Sequence, residues 1–296
     1  MPWTKFICPD KAEIQMEDCI KKCRMKEGRC VALPTLIMFQ RGRRKWKGVI
    51  STTQGLNGTR LEFLRIKEDF AEAPADRAFA LLGTFHHMRY QKLNLPDGLS
   101  EEWMEDSEGS GMFDYYDAET QELYDFKTTG AYRINRWLGK FKREVETGEV
   151  YKYGEKRGQP KTRQEWYLGE PDRFDITMQL SRYSWMLMDA GFPVKKAYVQ
   201  ATVRDFNAMS ARIYALDRAI YLIDVPLFDR ETVVQFYRGK QAELLNALEK
   251  NEMPPVCTEQ ERWEDKRCAK YCPVWYYCDH GQKVRRELAN GNDSEE

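Results

Sequence analysis

Apolar and polar positions change period several times along the chain, and each change predicts an element. Gly111 to Asp117 and Leu123 to Thr129 are aromatic-rich and β-prone, with the polar run Ala118-Glu119-Thr120-Gln121-Glu122 between them; the pattern predicts a hairpin. Upstream, Pro74-Ala75-Asp76 opens a helix carrying Phe79, Leu82, Gly83, Phe85, His86 and His87. Downstream, Asp172 or Asp175 caps a helix with Ile176, Leu180, Tyr183 and Leu187 at helical spacing, ended by Gly191 before Pro193. Lys196 to Arg204 and Ala219 to Val225 are β-rich runs. Asp229 then starts a long helix toward Pro254-Pro255, with Val233, Phe236, Tyr237, Leu244 and Leu248 as its buried stripe.

Chemistry concentrates on these elements. Strand side chains alternate faces, so Asp125 and Lys127 point the same way, and Asp114 across the ladder can join them. Two carboxylates suit a hard divalent ion such as magnesium or manganese, which shares its remaining positions with water and phosphate. Such an ion makes an attacking hydroxide, and Lys127 would hold or deprotonate that water, its pKa depressed if it is buried or beside the ion. A surface hairpin with a cross-strand ion pair has the same short pattern. Gly83 and His87 are four residues apart and share a helical face. An imidazole there would be a third ligand, with the choice between His86 and His87 open, and Gly83 would let the helix approach the sheet or DNA closely. Gln179 and Tyr183, also four apart, can present an amide and a phenol to a phosphate or to the lysine; an ordinary amphipathic helix shows that spacing too.

In chain order, Gly83-x3-His87, Gly111-x2-Asp114, Asp125-x-Lys127 and Gln179-x3-Tyr183, followed by two β-rich runs, resemble the PD-(D/E)XK nuclease superfamily in its RecB-like branch. The resemblance runs from near Pro74 to Val225. It implies an α/β fold, a restriction-endonuclease-like core with a central mixed sheet flanked by helices. It also implies a metal site of His87, Asp114, Asp125 and Lys127, with Gln179 and Tyr183 as the supporting motif. The connection of about 50 residues between Lys127 and Gln179 is longer than a compact core needs. Its basic residues, Lys152 and Arg157 among them, interleave with tyrosines, which suits a flap over a nucleic-acid channel as well as a solvated loop. Arg41, Arg43, Arg44 and Lys45, beside Trp46, are the stronger candidates for contact with a nucleic-acid backbone.

The eight cysteines fall at the two ends and repeat a spacing: Cys8-x10-Cys19-x3-Cys23-x6-Cys30, then Cys257-x10-Cys268-x3-Cys272-x5-Cys278. Met1 to Phe6 holds no apolar core of signal-peptide length, so a reducing, cytoplasmic compartment is expected and metal ligation is favoured over disulfides. Four thiolates suit tetrahedral zinc or an iron-sulfur cluster. Several RecB-like nucleases, such as AddB and the CRISPR adaptation nucleases, hold a four-iron cluster with three C-terminal cysteines and one upstream. That resemblance implies a 4Fe-4S cluster on Cys268, Cys272 and Cys278, with Cys257 or Cys30 as the fourth ligand. The parallel spacings favour two separate sites, the N-terminal one holding zinc or a second cluster.

Length and charge change the picture less. A chain of 296 residues buries one substantial core plus small appendages. Net charge is zero, but nucleic-acid binding depends on local basic surface, so the total decides little. Apolar runs do not approach membrane length. The expected organisation is a cysteine module at 1–30, a lead-in at 31–73 with a turn at Gly55-Leu56-Asn57-Gly58, and a core at 74–226 with a basic insertion at about 130–172. A helix and second cysteine module follow at 227–286, then a disordered tail at 287–296. The resemblance implies a metal-dependent exonuclease acting on linear or single-stranded DNA ends in recombination, replication, repair, or phage or CRISPR DNA processing. A structure-specific endonuclease, a non-catalytic metal-stabilised DNA-binding scaffold and a thiol-based redox protein are the alternatives.

Overall fold

The computed structural model describes residues 3–43, 45–90, 92, 95 and 97–292. The chain begins with β1 (Trp3–Ile7), β2 (Glu13–Gln15), α1 (Met16–Lys21), α2 (Leu33–Arg41), α3 (Thr52–Gly55), α4 (Thr59–Lys67) and β3 (Phe70–Glu72). A 3-10 turn at Pro74–Arg77 leads into α5 (Ala78–Tyr90), then β4 (Gly98–Ser100), β5 (Trp103–Asp106), β6 (Gly109–Met112), β7 (Tyr115–Asp117) and β8 (Glu122–Thr129). Next come α6 (Ala131–Trp137), β9 (Lys140–Val150), β10 (Pro160–Leu168), α7 (Phe174–Asp189), β11 (Lys196–Val203), α8 (Ala208–Ile213), β12 (Ile220–Asp224) and α9 (Arg230–Lys250). The last helices are α10 (Glu259–Arg262) and α11 (Asp279–Asn292). No described helix is long and apolar enough to cross a membrane.

The fold is mixed α/β with mixed sheets. The largest sheet has strand order β12-β11-β8-β7-β4. β8 and β11 run parallel while their outer neighbours are antiparallel. Parallel neighbours require a crossover, and here it carries α6, the β9–β10 ribbon and α7. Ala197, Val199, Ala201 and Val203 of β11 are buried along one face, packed in a cluster with Leu123 of β8 and Ile176, Leu180, Tyr183 and Leu187 of α7. Period-two burial on the strand meets period-3.6 burial on the helix, as a two-layer core requires.

Four expectations need correction. First, Gly111 to Asp117 is not one strand: Gly109–Met112 pairs with β5, Tyr115–Asp117 pairs with β8, and Phe113 and Asp114 lie between. Second, neither Asp172 nor Asp175 caps α7, because each is taken by an arginine of α6, Arg136 and Arg133 respectively. Third, of the flap and the solvated loop that the sequence leaves open, the loop gives way to an antiparallel ribbon, with Gln164 opposite Glu144 and Leu168 opposite Lys140. Gly139 closes its base at φ +69°, where a Cβ would lie 2.4 Å from the Gly169 carbonyl oxygen. Fourth, residues 287–292 continue α11 where the composition suggests a disordered tail; residues 293–296 lie outside the described residues.

The two ends also share one core. Trp3, Phe6, Met16, Leu36, Phe39 and Leu64 pack in one cluster with Met178, Val233, Tyr237, Leu244 and Val274. Polar bonds reinforce it: Tyr277 donates to the Asp69 carbonyl at 3.0 Å, and Arg60 donates to the Pro254 carbonyl at 2.7 Å. The ends are therefore parts of one body rather than appendages.

Candidate active site

β7 pairs with β8 only from Glu122 to Tyr124, which leaves the edge of β8 open beside Asp125, Phe126 and Lys127. Asp114 fills that gap with its side chain: one carboxylate oxygen accepts the Phe126 N–H at 2.6 Å. The hairpin thus brings Asp114 beside Asp125-x-Lys127 through a break in the ladder, not by cross-strand pairing within it. Lys127 donates to Asp125 at 2.7 Å, and Asp125 is 2% exposed.

From α5, His87 Nδ1 comes to 3.3 Å from Asp114 and 3.5 Å from Glu101. His86 instead packs its ring on Tyr90 and Phe126, so His87 is the histidine that reaches the site. The Tyr90 ring stacks on Phe126 at 4.0 Å and docks the helix, although α5 has no buried residue.

Glu101 is the residue that the sequence pattern does not single out. It follows β4 at φ +53°, a left-handed conformation uncommon for glutamate, and donates its N–H to the Asp114 carbonyl at 3.1 Å. Its buried Oε1 has no hydrogen-bond partner among the described residues. Donor atoms of His87, Glu101 and Asp114 lie within 4.8 Å of one another. Only the acidic pair Glu101-Glu102 before the hairpin hints at this from sequence; backbone strain leaves no sequence signal.

On the face of β8 that carries Leu123, Asp125 and Lys127, Gln179 and Tyr183 of α7 are both buried, and the Gln179 amide donates to the Tyr183 oxygen at 3.5 Å. Gly111 exists for this ring: a Cβ there would sit 2.5 Å from Tyr183 and 2.6 Å from the Thr52 hydroxyl. The buried Arg182 fixes the helix by pairing with Asp106 of β5 and lying 5.4 Å from the Tyr237 ring.

Burial and neighbours set the protonation states. Burial pushes the Asp125 carboxyl up, with Lys127 opposing and Asp114 adding to it. Burial acts the same way on Asp114, but His87, Lys127 and the Phe126 amide outweigh it and hold that carboxyl low. The hydrogen bond to Asp114 raises His87 against the effect of its burial. Burial raises Glu101, with Asp114 adding. Burial works against charge on Lys127, yet Asp125 and Asp114 together hold the ammonium above the ordinary lysine range. Burial alone therefore does not depress this lysine, contrary to expectation, because two carboxylates flank it. Burial pushes the Tyr183 phenol up to about 12.

The cysteines form two groups. At Cys19, burial raises the thiol first, and Cys8, Cys23 and Cys30 add to it. Burial pushes Cys268 up to about 11, with Cys272, Asp265, Cys257 and Cys278 adding. Gly58 abuts the second group, since a Cβ there would lie 2.3 Å from Cys257 Sγ. Cys268 also has Asp265 and His280 as near neighbours, but Arg262 already bonds both, at 2.6 and 3.0 Å.

The basic runs are only partly available. Arg43 donates from Nε and Nη1 to the Gln40 and Trp3 carbonyls at 3.0 and 3.3 Å and stays exposed, with further N–H groups unspent. Arg41 and Lys45 are exposed, and Arg44 lies outside the described residues. Lys152 and Arg157 are exposed on the turn of the β9–β10 ribbon, away from regular pairing.

No family model and no curated protein matches the chain. Among solved structures, the chain is similar to the crystal structure of SSO0001, with a TM-score of 0.45 and 16% identity over 86% of this chain and 98% of that one.

Proposed function

We propose that this chain is a divalent-metal-dependent deoxyribonuclease of the PD-(D/E)XK superfamily, RecB-like branch, that hydrolyses phosphodiester bonds at DNA ends. The observation that carries this reading is the convergence of His87 from α5, Asp114 from the β6–β7 break and Asp125-x-Lys127 from β8 at one open strand edge. A cation fits the donor set: the buried Glu101 Oε1 makes no hydrogen bond among the described residues, with His87 Nδ1 3.5 Å away, and three ligand atoms lie within 4.8 Å. His87, Glu101, Asp114 and Asp125 would hold magnesium or manganese. When bound, such an ion supplies an activated hydroxide and offsets charge on the phosphate.

The chain's own groups do the rest. Lys127 has N–H bonds beyond the one it gives Asp125, and it donates one to the phosphate or the attacking water as negative charge develops. Tyr183 stays a phenol and, with its oxygen already accepting from Gln179, keeps its O–H for the phosphate. Asp114 holds the Phe126 amide, which fixes the strand between the two acidic positions.

Within each thiol group the cysteines raise one another's pKa, a repulsion between thiolates that a bound cation would offset, while burial opposes their ionisation. No three thiols of either group lie within 4.8 Å of one another among the described residues, so the reading rests on the repeated spacing of the cysteines. The proposal places a 4Fe-4S cluster on Cys257, Cys268, Cys272 and Cys278, and zinc or a second cluster on Cys8, Cys19, Cys23 and Cys30. These would brace the shared core from both ends in a reducing, cytoplasmic setting.

The test is anaerobic purification, metal analysis, and digestion of linear and covalently closed DNA with magnesium or manganese. Degradation of linear DNA with closed circles spared supports the proposal. Equal digestion of relaxed circles replaces it with an endonuclease. DNA binding with no cleavage under either metal would make the chain a scaffold.

A further inference from the structure

Phe126 and Thr128 point to the face of β8 opposite Asp125 and Lys127, and α5 lies over that face. Between helix and sheet opens a cavity of about 570 Å³ lined by Leu82, Phe85, Arg89, Lys92, Thr128 and Arg204, among others. That volume lies in the range of ligand sites, roughly 300–1,000 Å³. Thr128 and His86 line the cavity, and their chain neighbours Lys127 and His87 belong to the candidate active site, so the two share β8 and α5 while the cavity opens on the opposite face of the strand.

Its chemistry is one-sided. Among the described residues three cations line it and no carboxylate does. Arg89, Lys92 and Arg204 form no ion pair with any described residue. Arg204 instead lies 3.8 Å from the Phe79 ring. Phe79, Leu82, Phe85 and Met88 project from α5 at 58%, 50%, 46% and 43% exposure, an uncovered stripe on a helix that buries nothing. Close approach does not require Gly83, contrary to expectation, since a Cβ there would meet the Thr128 hydroxyl at an ordinary 3.8 Å.

We propose that this cavity holds the unpaired strand of a DNA end as it enters the active site, with phosphates against Arg89, Lys92 and Arg204 and a base stacked on Phe85 or Phe79. Unpaired cations interleaved with exposed aromatic rings suit a single strand, whose phosphates are anionic and whose bases have apolar faces. An apolar protein partner would cover the stripe but leave three cations uncompensated. The inference takes the strand's direction from the nuclease reading, while binding itself does not depend on turnover.

The test is fluorescence anisotropy of a labelled oligothymidylate on the intact metalloprotein, without added magnesium or manganese, across a salt series. Replacing Arg89, Lys92 and Arg204 together by Ala should weaken binding at least about tenfold and flatten the slope of log K against log salt by about 2, at about 0.7 per lost contact. Phe85→Ala should weaken binding with the salt slope unchanged. These positions are exposed, and circular dichroism verifies folding. Unchanged affinity and slope in the triple variant would overturn the proposal, as would loss of wild-type self-association by Phe85→Ala with DNA binding intact. If the triple variant loses binding yet the wild type never cleaves DNA, the nuclease reading fails and the strand site stands. If the wild type cleaves and the triple variant binds normally, the strand site alone fails.

Discussion

Asp114 supplies the Phe126 amide with the acceptor that a neighbouring strand would otherwise provide, at 2.6 Å. One side chain therefore serves both the sheet and the candidate metal site, and substitutions should separate the two roles. Asp114→Asn keeps an acceptor and loses the charge, so its thermal stability should change little while metal-dependent cleavage falls more than about 100-fold. Asp114→Ala also orphans the amide and should lose about 1–3 kcal/mol in a denaturant melt. Equal activity in Asn and wild type would remove Asp114 from the chemistry.

Glu101 gives a second separation. Its left-handed backbone is easier for glycine, so Glu101→Gly should fold at least as well as Glu101→Gln. Both should weaken manganese binding about tenfold or more in calorimetric titration. Wild-type affinity in both would show that this carboxylate is not a ligand.

The His87 pair gives the metal-free protein a pH dependence. Asp114, Glu101 and Lys127 face the ring, and the Asp114 bond raises its pKa in the folded state. A raised folded pKa means that stability is fully present below about pH 6.5, the unfolded value, and is lost as pH rises through the folded value. His87→Gln should flatten that loss in urea melts between about pH 6 and 8, and an unchanged profile would place its origin elsewhere.

Gly111→Ala should act through Tyr183. The new methyl meets the ring and the Thr52 hydroxyl, an overpacking expected to destabilise by about 1–3 kcal/mol. Gly111→Ala with Tyr183→Leu should recover part of that stability. Full additivity of the two changes in thermal melts would argue against the contact.

Gly58→Ala should act on the C-terminal thiols alone. A Cβ cannot share space with Cys257 Sγ, so metal analysis should find the C-terminal content reduced and the N-terminal content kept. Loss from both sets would mean that the two thiol groups are not independent.

Much of this was legible in the chain and some was not. Period and turn residues locate β8, α7 and α9, because their apolar spacing is set by the core they face, while Pro74-Ala75-Asp76 marks the turn that leads into α5. Asp229 does cap α9, accepting from the Thr232 amide. The break at Asp114 was hidden because Phe113 and Asp114 continue a β-prone run while their backbone leaves the ladder. The true start of α7 is not legible because arginines of α6, distant in sequence, take both aspartates. Glu101 was missed because its position depends on a backbone conformation, and the cavity under α5 because apolar spacing alone does not distinguish an exposed stripe from a buried one.

The core joining Trp3, Met16 and Leu64 to Val233, Leu244 and Val274 has a further consequence for how the molecule is made. During synthesis the first of these residues emerge long before the last, and the cluster cannot close until Val274 has left the ribosome. The early segment must wait with Trp3, Phe6 and Leu64 uncovered, and closure of the cluster is slowed by its long-range contacts. Truncation ahead of Val274 would leave that apolar surface permanently open.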